Sequence, residues 1–519
     1  MRIALRWGSI ALSYAKLATS VEQTAHYLKE QGLSPGQHLV IWANKRIETV
    51  VVLLAAWQAG LVIVPLHPSL RAGQLRSIFN RAAAQGLITD APHAQALGFT
   101  AINPTGWGFA RTPDAPFKQL PFDFQNEDGP APQRQTRPPA CLGDALAALM
   151  FTSGSTGLPK GVMVTHDNFN AGAAAVSAYL NLTAQDELLA VLPLSFDYGL
   201  SQITTALLVG AGITLQDYLL PNDLKKPLLQ GGITVVAGTP GLLIALAQAP
   251  WLGDAPALRL ITNSGGRLPE TSVKALRAAR PNTALFLMYG LTEAFRASYL
   301  IPTEVDAHPD SIGRPFSASV LGLVNNQGVL VPSGLEGVGE LVQGGPLVTR
   351  GYFNDPDATA ERYRSPPAGW PNPQDRVVVY SGDLVRRDSE GRYYFLGRLD
   401  EQIKVQGFRI SPEEIEQAVL HYAGVSEALA FGYALPLSEP DNRREAVPDE
   451  NLIGLVVAPH TVNLDELNSW LHTQLAPYQM PKKILALPNL PRSNNGKLDR
   501  AASRAIFLGH QNPASQASL

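Results

Sequence analysis

The stretch Phe151–Val162, FTSGSTGLPKGV, restricts this chain more than any other. Within ten positions it places Thr152, Ser153, Gly154, Ser155, Thr156, Gly157, Lys160 and Gly161. Glycines let the backbone turn its N–H groups towards an anion, and the hydroxyls and one lysine add donors, so the loop suits a polyphosphate. It is not the Walker form, because Gly161 follows the lysine where that pattern needs Ser or Thr. The apolar Leu142–Met150 leads straight into it.

A chain of 519 residues is too long for one core, so two or three domains are expected. Hydrophobic content of 45% and charged content of 16% describe an ordinary globular protein. A net charge of −3 gives no basic footprint for nucleic acid. The only cysteine, Cys141, excludes a disulfide framework and points to a reducing, cytoplasmic setting. The opening MRIALRWGSIALSYA is interrupted by Arg6, Ser9 and Ser13 and makes a poor signal peptide. The longest apolar run, Val50 to Leu66, is broken by Gln58 and Gly60 and closed by Pro65. It reads as a buried helix and then a strand rather than a membrane span. The final Ala517-Ser518-Leu519 lacks the lysine of a peroxisomal tail.

Residues 12–100 alternate helix and strand patterns: helices over 14–31, 47–59 and 71–84, strands over 38–43, 61–64 and 86–89. That rhythm predicts a parallel sheet covered by helices. Residues 101–140 lose periodicity and carry eight prolines, as a long surface connection does. Asp167 is placed to cap a helix through the alanine-rich 170–180. Buried strands are expected over 188–192, 211–216, 233–236, 258–262 and 284–288. From about residue 314 to 399 the texture becomes glycine-rich with alternating strands, a small β-rich subdomain. Residues 400–505 read as a compact α+β module, with a helix over 412–420, a strand over 452–457 and a helix over 464–475. From residue 505 or 506 to 519 a loose tail is expected.

Tyr289-Gly290-Leu291-Thr292-Glu293 follows an apolar strand. A carboxylate just past a strand end can hold Mg²⁺, which takes hard oxygen ligands, and a tyrosine there can pack on an adenine face. Tyr380-Ser381-Gly382-Asp383 is a strand running into an acidic turn, and an aspartate can accept both ribose hydroxyls. Gly397-Arg398-Leu399-Asp400 and Lys404-Val405-Gln406-Gly407-Phe408-Arg409-Ile410 follow, and Ser493-Asn494-Asn495-Gly496-Lys497 stands near the C-terminus. Together with the phosphate loop and in this order, these segments resemble the AMP-forming adenylating enzymes: acyl-CoA synthetases, amino-acid adenylation domains and luciferases. The resemblance runs from about Leu12 to Arg500. It implies an α/β fold: a large N-terminal domain (1–399) of layered parallel sheets with the β-rich subdomain, then a small mobile α+β C-terminal domain from Asp400, the hinge.

The resemblance also assigns roles. Thr292 contacts phosphate and Glu293 binds Mg²⁺. Ser264-Gly265-Gly266-Arg267 forms the glycine turn against adenine, and Asp383 with Arg398 holds the ribose. Lys497 bridges the substrate carboxylate and the α-phosphate, where a placed cation is worth roughly 3–4 kcal/mol. Here Asn495 precedes Gly496 where the family usually has serine. Gly339-Glu340-Leu341 and Gly351-Tyr352-Phe353 match a further, structural segment. Family members carry another helix before the Leu12–Leu17 segment, which only eleven residues precede here, so a trimmed start stays open.

The acid is read from Leu194-Ser195-Phe196-Asp197-Tyr198-Gly199. Acyl-CoA ligases of the family usually carry Phe-His here, and amino-acid adenylation domains Phe-Asp, whose aspartate binds the substrate ammonium. A buried carboxylate needs such a partner, so Asp197 predicts a small or medium amino-bearing acid, unless it meets a backbone group or a protein cation. By position in the family pattern the pocket wall is Asp197, Tyr198, Ser201, Gly241, Ile261, Asn263, Met288 and Arg296. Arg296 either grips a second carboxylate or pairs with Asp197, which would leave a plain acyl acid. The acceptor, CoA or the phosphopantetheine of a carrier protein, is open. A luciferase-type oxygenase and a non-catalytic nucleotide-binding protein are the other readings.

Overall fold

The computed structural model describes residues 2–99, 106–120, 143–153, 159–401, 403–405, 408–433, 452–493 and 496–510. The chain forms two compact units. The first comprises Met1–Gly322 and Val342–Tyr380, the second Leu323–Leu341 and Ser381–Leu519.

Two mixed sheets build the first unit. The nine-stranded sheet runs in the order Arg314–Pro315, Ser298–Leu300, Ala284–Tyr289, Leu260–Asn263, Val235–Gly238, Glu187–Ala190, Gly212–Leu215, Ile3–Trp7, Ile10–Ser13. Its six central strands, Ala284–Tyr289 through Ile3–Trp7, are parallel. The seven-stranded sheet has a parallel centre of Gly86–Asp90, His38–Trp42, Val62–Leu66 and Leu146–Ser153, closed at the far edge by the antiparallel Pro159–Thr165. Parallel strands need crossovers, which the intervening helices supply. Helix Ile47–Gln58 (IETVVVLLAAWQ) is apolar nearly all round, and eight of its residues are buried, as such a helix must be.

In the second unit, Asp383–Arg387 of the strand Val378–Arg387 pairs antiparallel with Tyr393–Arg398. A three-stranded sheet, Glu427–Tyr433, Leu452–Ala458 and Lys483–Ala486, packs with the helices Pro412–Leu420, Leu464–Gln474 and Arg500–Gly509.

The α/β class and most expected elements match. Three local expectations differ, and one hairpin forms where the sequence reading places no element. The helix after the phosphate loop is His166–Tyr179, and Thr165, not Asp167, caps it by accepting from Asn168 N–H. Threonine in extended backbone presents its hydroxyl to the third helical residue, whereas Asp167 already lies in the first turn. Residues Ile3–Trp7 and Ile10–Ser13 form a hairpin turned at Gly8, φ +57°. Within the Pro-rich connection, Trp107–Ala110 and Lys118–Gln119 are strands, while 101–105 and 121–140 lie outside the described residues. The expected tail is helical through Gly509, because Asp499 caps the helix and Phe507 is fully buried against Phe431 and Tyr433. Among the described residues no helix is long and apolar enough to cross a membrane.

Candidate active site

Parallel strands in register end together, and the loops leaving their carboxyl ends converge. Gly238, Asn263 and Leu287 sit opposite one another on adjacent strands. Gly241, Ser264-Gly265-Gly266-Arg267 and Tyr289-Gly290-Leu291-Thr292-Glu293 therefore emerge along one sheet edge. Gly265 has φ +83°, a left-handed turn suited to glycine. Asn263 Nδ2 donates to the Gly266 carbonyl at 2.9 Å and holds this turn, while its buried Oδ1 has no partner among the described residues. Arg267 is exposed.

The loop after strand Glu187–Ala190 delivers Asp197 to the first turn of helix Asp197–Val209, where the helix dipole favours a carboxylate. Lys45, itself buried, donates to the Leu192 carbonyl at 3.3 Å and anchors this loop. Burial lowers the Lys45 ammonium pKa to about 8, the nearby Asp217 opposing that pull. Asp197 is 5% exposed, and its Oδ2 accepts from the Thr292 hydroxyl at 3.0 Å. Asp197 and Thr292, 95 residues apart in sequence, are thus directly joined.

Glu293 is fixed from two directions. The Tyr352 hydroxyl donates to its Oε1 at 2.6 Å, and Thr349 donates to its carbonyl from backbone and side chain at 2.9 and 2.8 Å. The Thr349 and Tyr363 hydroxyls lie 2.6 Å apart, and burial pushes the Tyr363 phenol well up. Tyr352 is positioned by backbone pairing of Arg350–Phe353 with Gly161–Met163. Lys160 lies 5.3 Å over the Tyr352 ring and 4.0 Å from Asp355, so the flank of the phosphate loop reaches the Glu293 cluster. Thr152 and Lys160 face each other across the strands Leu146–Ser153 and Pro159–Thr165. Gly154, Ser155, Thr156 and Gly157 lie outside the described residues, as does the Ser153 side chain. Mg²⁺ suits Glu293: the residue is half-buried, its second carboxylate oxygen has no protein donor among the described residues, and Mg²⁺ at phosphates needs few protein ligands.

The turn continues through Phe295, a non-glycine residue with φ +54°. Inverting the backbone here turns the Phe295 ring into the core, edge-on to Phe169 at 5.1 Å and against Gly172, where even a Cβ would lie 2.8 Å from the ring. Gln343, fully buried, donates to the Ala294 and Arg296 carbonyls and braces the turn. Arg296 then faces an internal cavity. Of the expected pocket wall, Tyr198, Ser201, Met288 and Arg296 line that cavity. Asp197, Gly241, Ile261 and Asn263 do not; Thr262, between two of them, does, because side chains alternate along a strand. Thr262 also meets the Tyr198 hydroxyl through its carbonyl, at 3.0 Å. Arg296 forms no ion pair with Asp197.

The second unit carries the remaining candidates. Asp383 and Arg398 are direct cross-strand partners. Arg398 Nη1 donates to Asp383 Oδ1 at 2.8 Å, and its Nε and Nη2 grip Asp400 at 3.0 Å each. Burial pulls the Arg398 guanidinium down, but the paired carboxylates of Asp400 and Asp383 more than offset it and hold its charge. Lys497 is exposed on a turn closed by Ser493 N–H to the Lys497 carbonyl at 2.7 Å and by Gly496 at φ +76°. Asn494 and Asn495 lie outside the described residues.

Sequence reading misses Gln343, Thr349 and Tyr363, and takes Tyr352 as structural. The Gly-Tyr-Phe segment is visible, but nothing local ties it to a carboxylate 59 residues away.

The chain resembles known proteins over nearly its whole length. The chain is 30% identical to a linear gramicidin synthase of Brevibacillus parabrevis over 98% of its own length, and spans 9% of that protein. It spans 7% of tyrocidine synthase 3 of the same organism, at 29% identity over 96% of its own length. It is 29% identical to a feruloyl-CoA synthase of an Amycolatopsis species, covering 97% of this chain and 96% of that one. The fold superposes on o-succinylbenzoate CoA synthetase of Bacillus subtilis, solved with its acyl-adenylate, with a TM-score of 0.76 at 23% identity over 96% and 94% of the two chains. The family model for AMP-binding enzymes matches residues 1–353, and that for the AMP-binding enzyme C-terminal domain matches residues 414–497. The chain belongs to the AMP-binding enzyme family.

Proposed function

We propose that this chain is an AMP-forming acid–thiol ligase acting on a small or medium amino-bearing acid. The hydrogen bond from Thr292 to buried Asp197 carries the reading, since it couples the phosphate turn to an acid-pocket carboxylate at 3.0 Å. One oxygen of the substrate carboxylate bonds to the α-phosphorus of ATP, the bond to the bridging oxygen breaks, and pyrophosphate leaves. A thiol sulfur, on CoA or a carrier-protein phosphopantetheine, then adds to the acyl carbon; AMP leaves and the thiol proton passes to solvent.

Asp197 accepts the ammonium and orients the acid. The single Thr292 O–H holds Asp197 until the substrate ammonium takes its place there, and then donates towards phosphate. Tyr352 and Thr349 keep Glu293 in place, and Lys160 adds positive charge at the phosphates. Asp383, held by Arg398, accepts from the ribose hydroxyls, and Asp400 is the hinge. Lys497 supplies the cation that offsets repulsion between two anions. Mg²⁺ on Glu293 would neutralise phosphate charge.

The test is ATP–pyrophosphate exchange with amino, β-amino, aryl and fatty acids. Asp197→Asn is expected to raise KM for amino-bearing acids at least tenfold relative to acids without an amine, since the ammonium loses its counter-charge. Equal effects on both classes sink the amine assignment. A non-amino acyl-CoA synthetase is the second reading, supported by the near full-length likeness to feruloyl-CoA synthase; exchange confined to aryl acids would select it.

A further inference from the structure

The cavity at Arg296 is polar in an unusual way. Arg296 is 3% exposed, and its Nη1 donates to the Phe295 carbonyl at 2.9 Å. Among the described residues, its Nε and Nη2 are buried with no acceptor and it forms no ion pair. Further compensation comes from two rings, Tyr198 at 4.9 Å and Phe295 at 5.7 Å from the guanidinium carbon. Along one face of helix Asp197–Val209, Gln202 Oε1 and Thr205 Oγ1 are also buried without partners among the described residues, and both residues line the same cavity. The cavity is about 20 Å³, room on the order of one or two waters or a single carboxylate. Its remaining wall includes Val176, Leu180, Leu188 and Met288.

Nε and Nη2 form the side-on edge of the guanidinium, which matches the two oxygens of a carboxylate. The proposal rests on the ligase reading above and takes the cavity, lined by Tyr198, Ser201, Met288 and Arg296 of the expected pocket wall, as the far end of the acid pocket: we propose that the activated acid bears a second carboxylate. One carboxyl is adenylated, and the other stays ionised on Nε and Nη2 of Arg296. The Thr205 hydroxyl donates to the same carboxylate, and Gln202 Oε1 accepts from an N–H or O–H beside it. The inverted backbone at Phe295 and the Gln343 brace hold the guanidinium in place before substrate arrives. An acid with a methyl in place of the second carboxylate leaves a buried charge unpaired, and so is rejected.

The experiment is ATP–pyrophosphate exchange by the full chain with acids matched except for the terminal group: glutamate and 2-aminopentanoate, aspartate and 2-aminobutyrate, succinate and butyrate. At least one diacid is expected to exceed its partner tenfold or more in kcat/KM. Arg296→Met should lower that ratio at least tenfold, mainly through KM. Arg296→Lys, which keeps charge but loses the fork, should fall between. Because the wild-type ratio and the lysine variant are read independently, misfolding of the methionine variant does not shield the proposal. Preference for the methyl-ended acid in every pair, or a ratio untouched by both variants, overturns the second carboxylate and leaves the ligase reading standing. ATP binding without exchange for any acid overturns both.

Discussion

In the proposed reaction, Thr292 is the residue on which the two halves of the substrate site meet. Its hydroxyl is spent on Asp197 in the present arrangement, at 3.0 Å. Thr292→Val keeps the shape and removes the donor. It leaves Asp197, 5% exposed, short of a hydrogen bond, which destabilises by about 1–3 kcal/mol. It also removes a group placed for developing charge, so kcat in pyrophosphate exchange should fall roughly 10²–10³-fold. Loss of melting temperature with unchanged kcat would confine Thr292 to a structural role. Asp197 was legible from the sequence as a buried carboxylate in need of a partner, but not Thr292 as that partner, because 95 residues separate them. Arg296 was legible as an alternative, and its direction was not. That direction depends on φ +54° at Phe295, and no sequence rule predicts a left-handed phenylalanine.

At the scale of elements, periodicity served best where an element is long. The helices Tyr14–Glu30, Pro412–Leu420 and Leu464–Gln474 lie where their apolar spacing puts them. The Ile3–Ser13 hairpin escaped because its strands are five and four residues long and the first pairs with Gly212–Leu215, distant in sequence. The junction of strand Tyr393–Arg398 and helix Pro412–Leu420 was also invisible. The Ser411 hydroxyl lies 2.7 Å from the Leu396 carbonyl and 2.6 Å from Glu413 Oε2. Gly397, φ +145°, leaves room for both: a Cβ there would lie 2.0 Å from the Ser411 hydroxyl. Burial, with the charge of Glu416, pushes the Glu413 carboxyl up to about 7 against the pull of Arg500 at 3.2 Å. A carboxyl raised in the folded state stabilises most when protonated. Its contribution is complete below its ordinary 4.5 and is lost as pH climbs to about 7, by at most about 3 kcal/mol. Glu413→Gln should flatten the fall of melting temperature between pH 4.5 and 7; identical slopes in variant and wild type would show that another group governs it.

For the whole molecule, the groups of the proposed reaction are divided between the two units. Thr292, Glu293, Asp197 and Arg296 belong to the first, Asp383, Arg398 and Lys497 to the second. Their types differ as well. The first-unit groups are half-buried to buried and braced by neighbours such as Tyr352 and Gln343, as recognition of an acid and a phosphate requires. Lys497 is exposed on a glycine turn closed by backbone hydrogen bonds. Preorganised surroundings make a fixed charge effective, so an exposed lysine acts only while its turn is seated in a drier site. It should therefore matter in one half-reaction and not the other. Lys497→Ala is expected to cut ATP–pyrophosphate exchange by 10²–10³-fold, the worth of one placed cation of roughly 3–4 kcal/mol. Thioester formation from a supplied acyl-adenylate should stay within a few-fold of wild type, because no second anion then has to approach the phosphate. Two companion measurements guard the result: the melting temperature should hold, since an exposed side chain contributes little, and ATP should still bind through the first-unit groups. If exchange and thioester formation fall together, Lys497 serves the fold of its turn or both steps alike. If neither falls, the adenylation cation is another residue, and Lys160, over the ring of the Tyr352 that holds Glu293, is the one to substitute next.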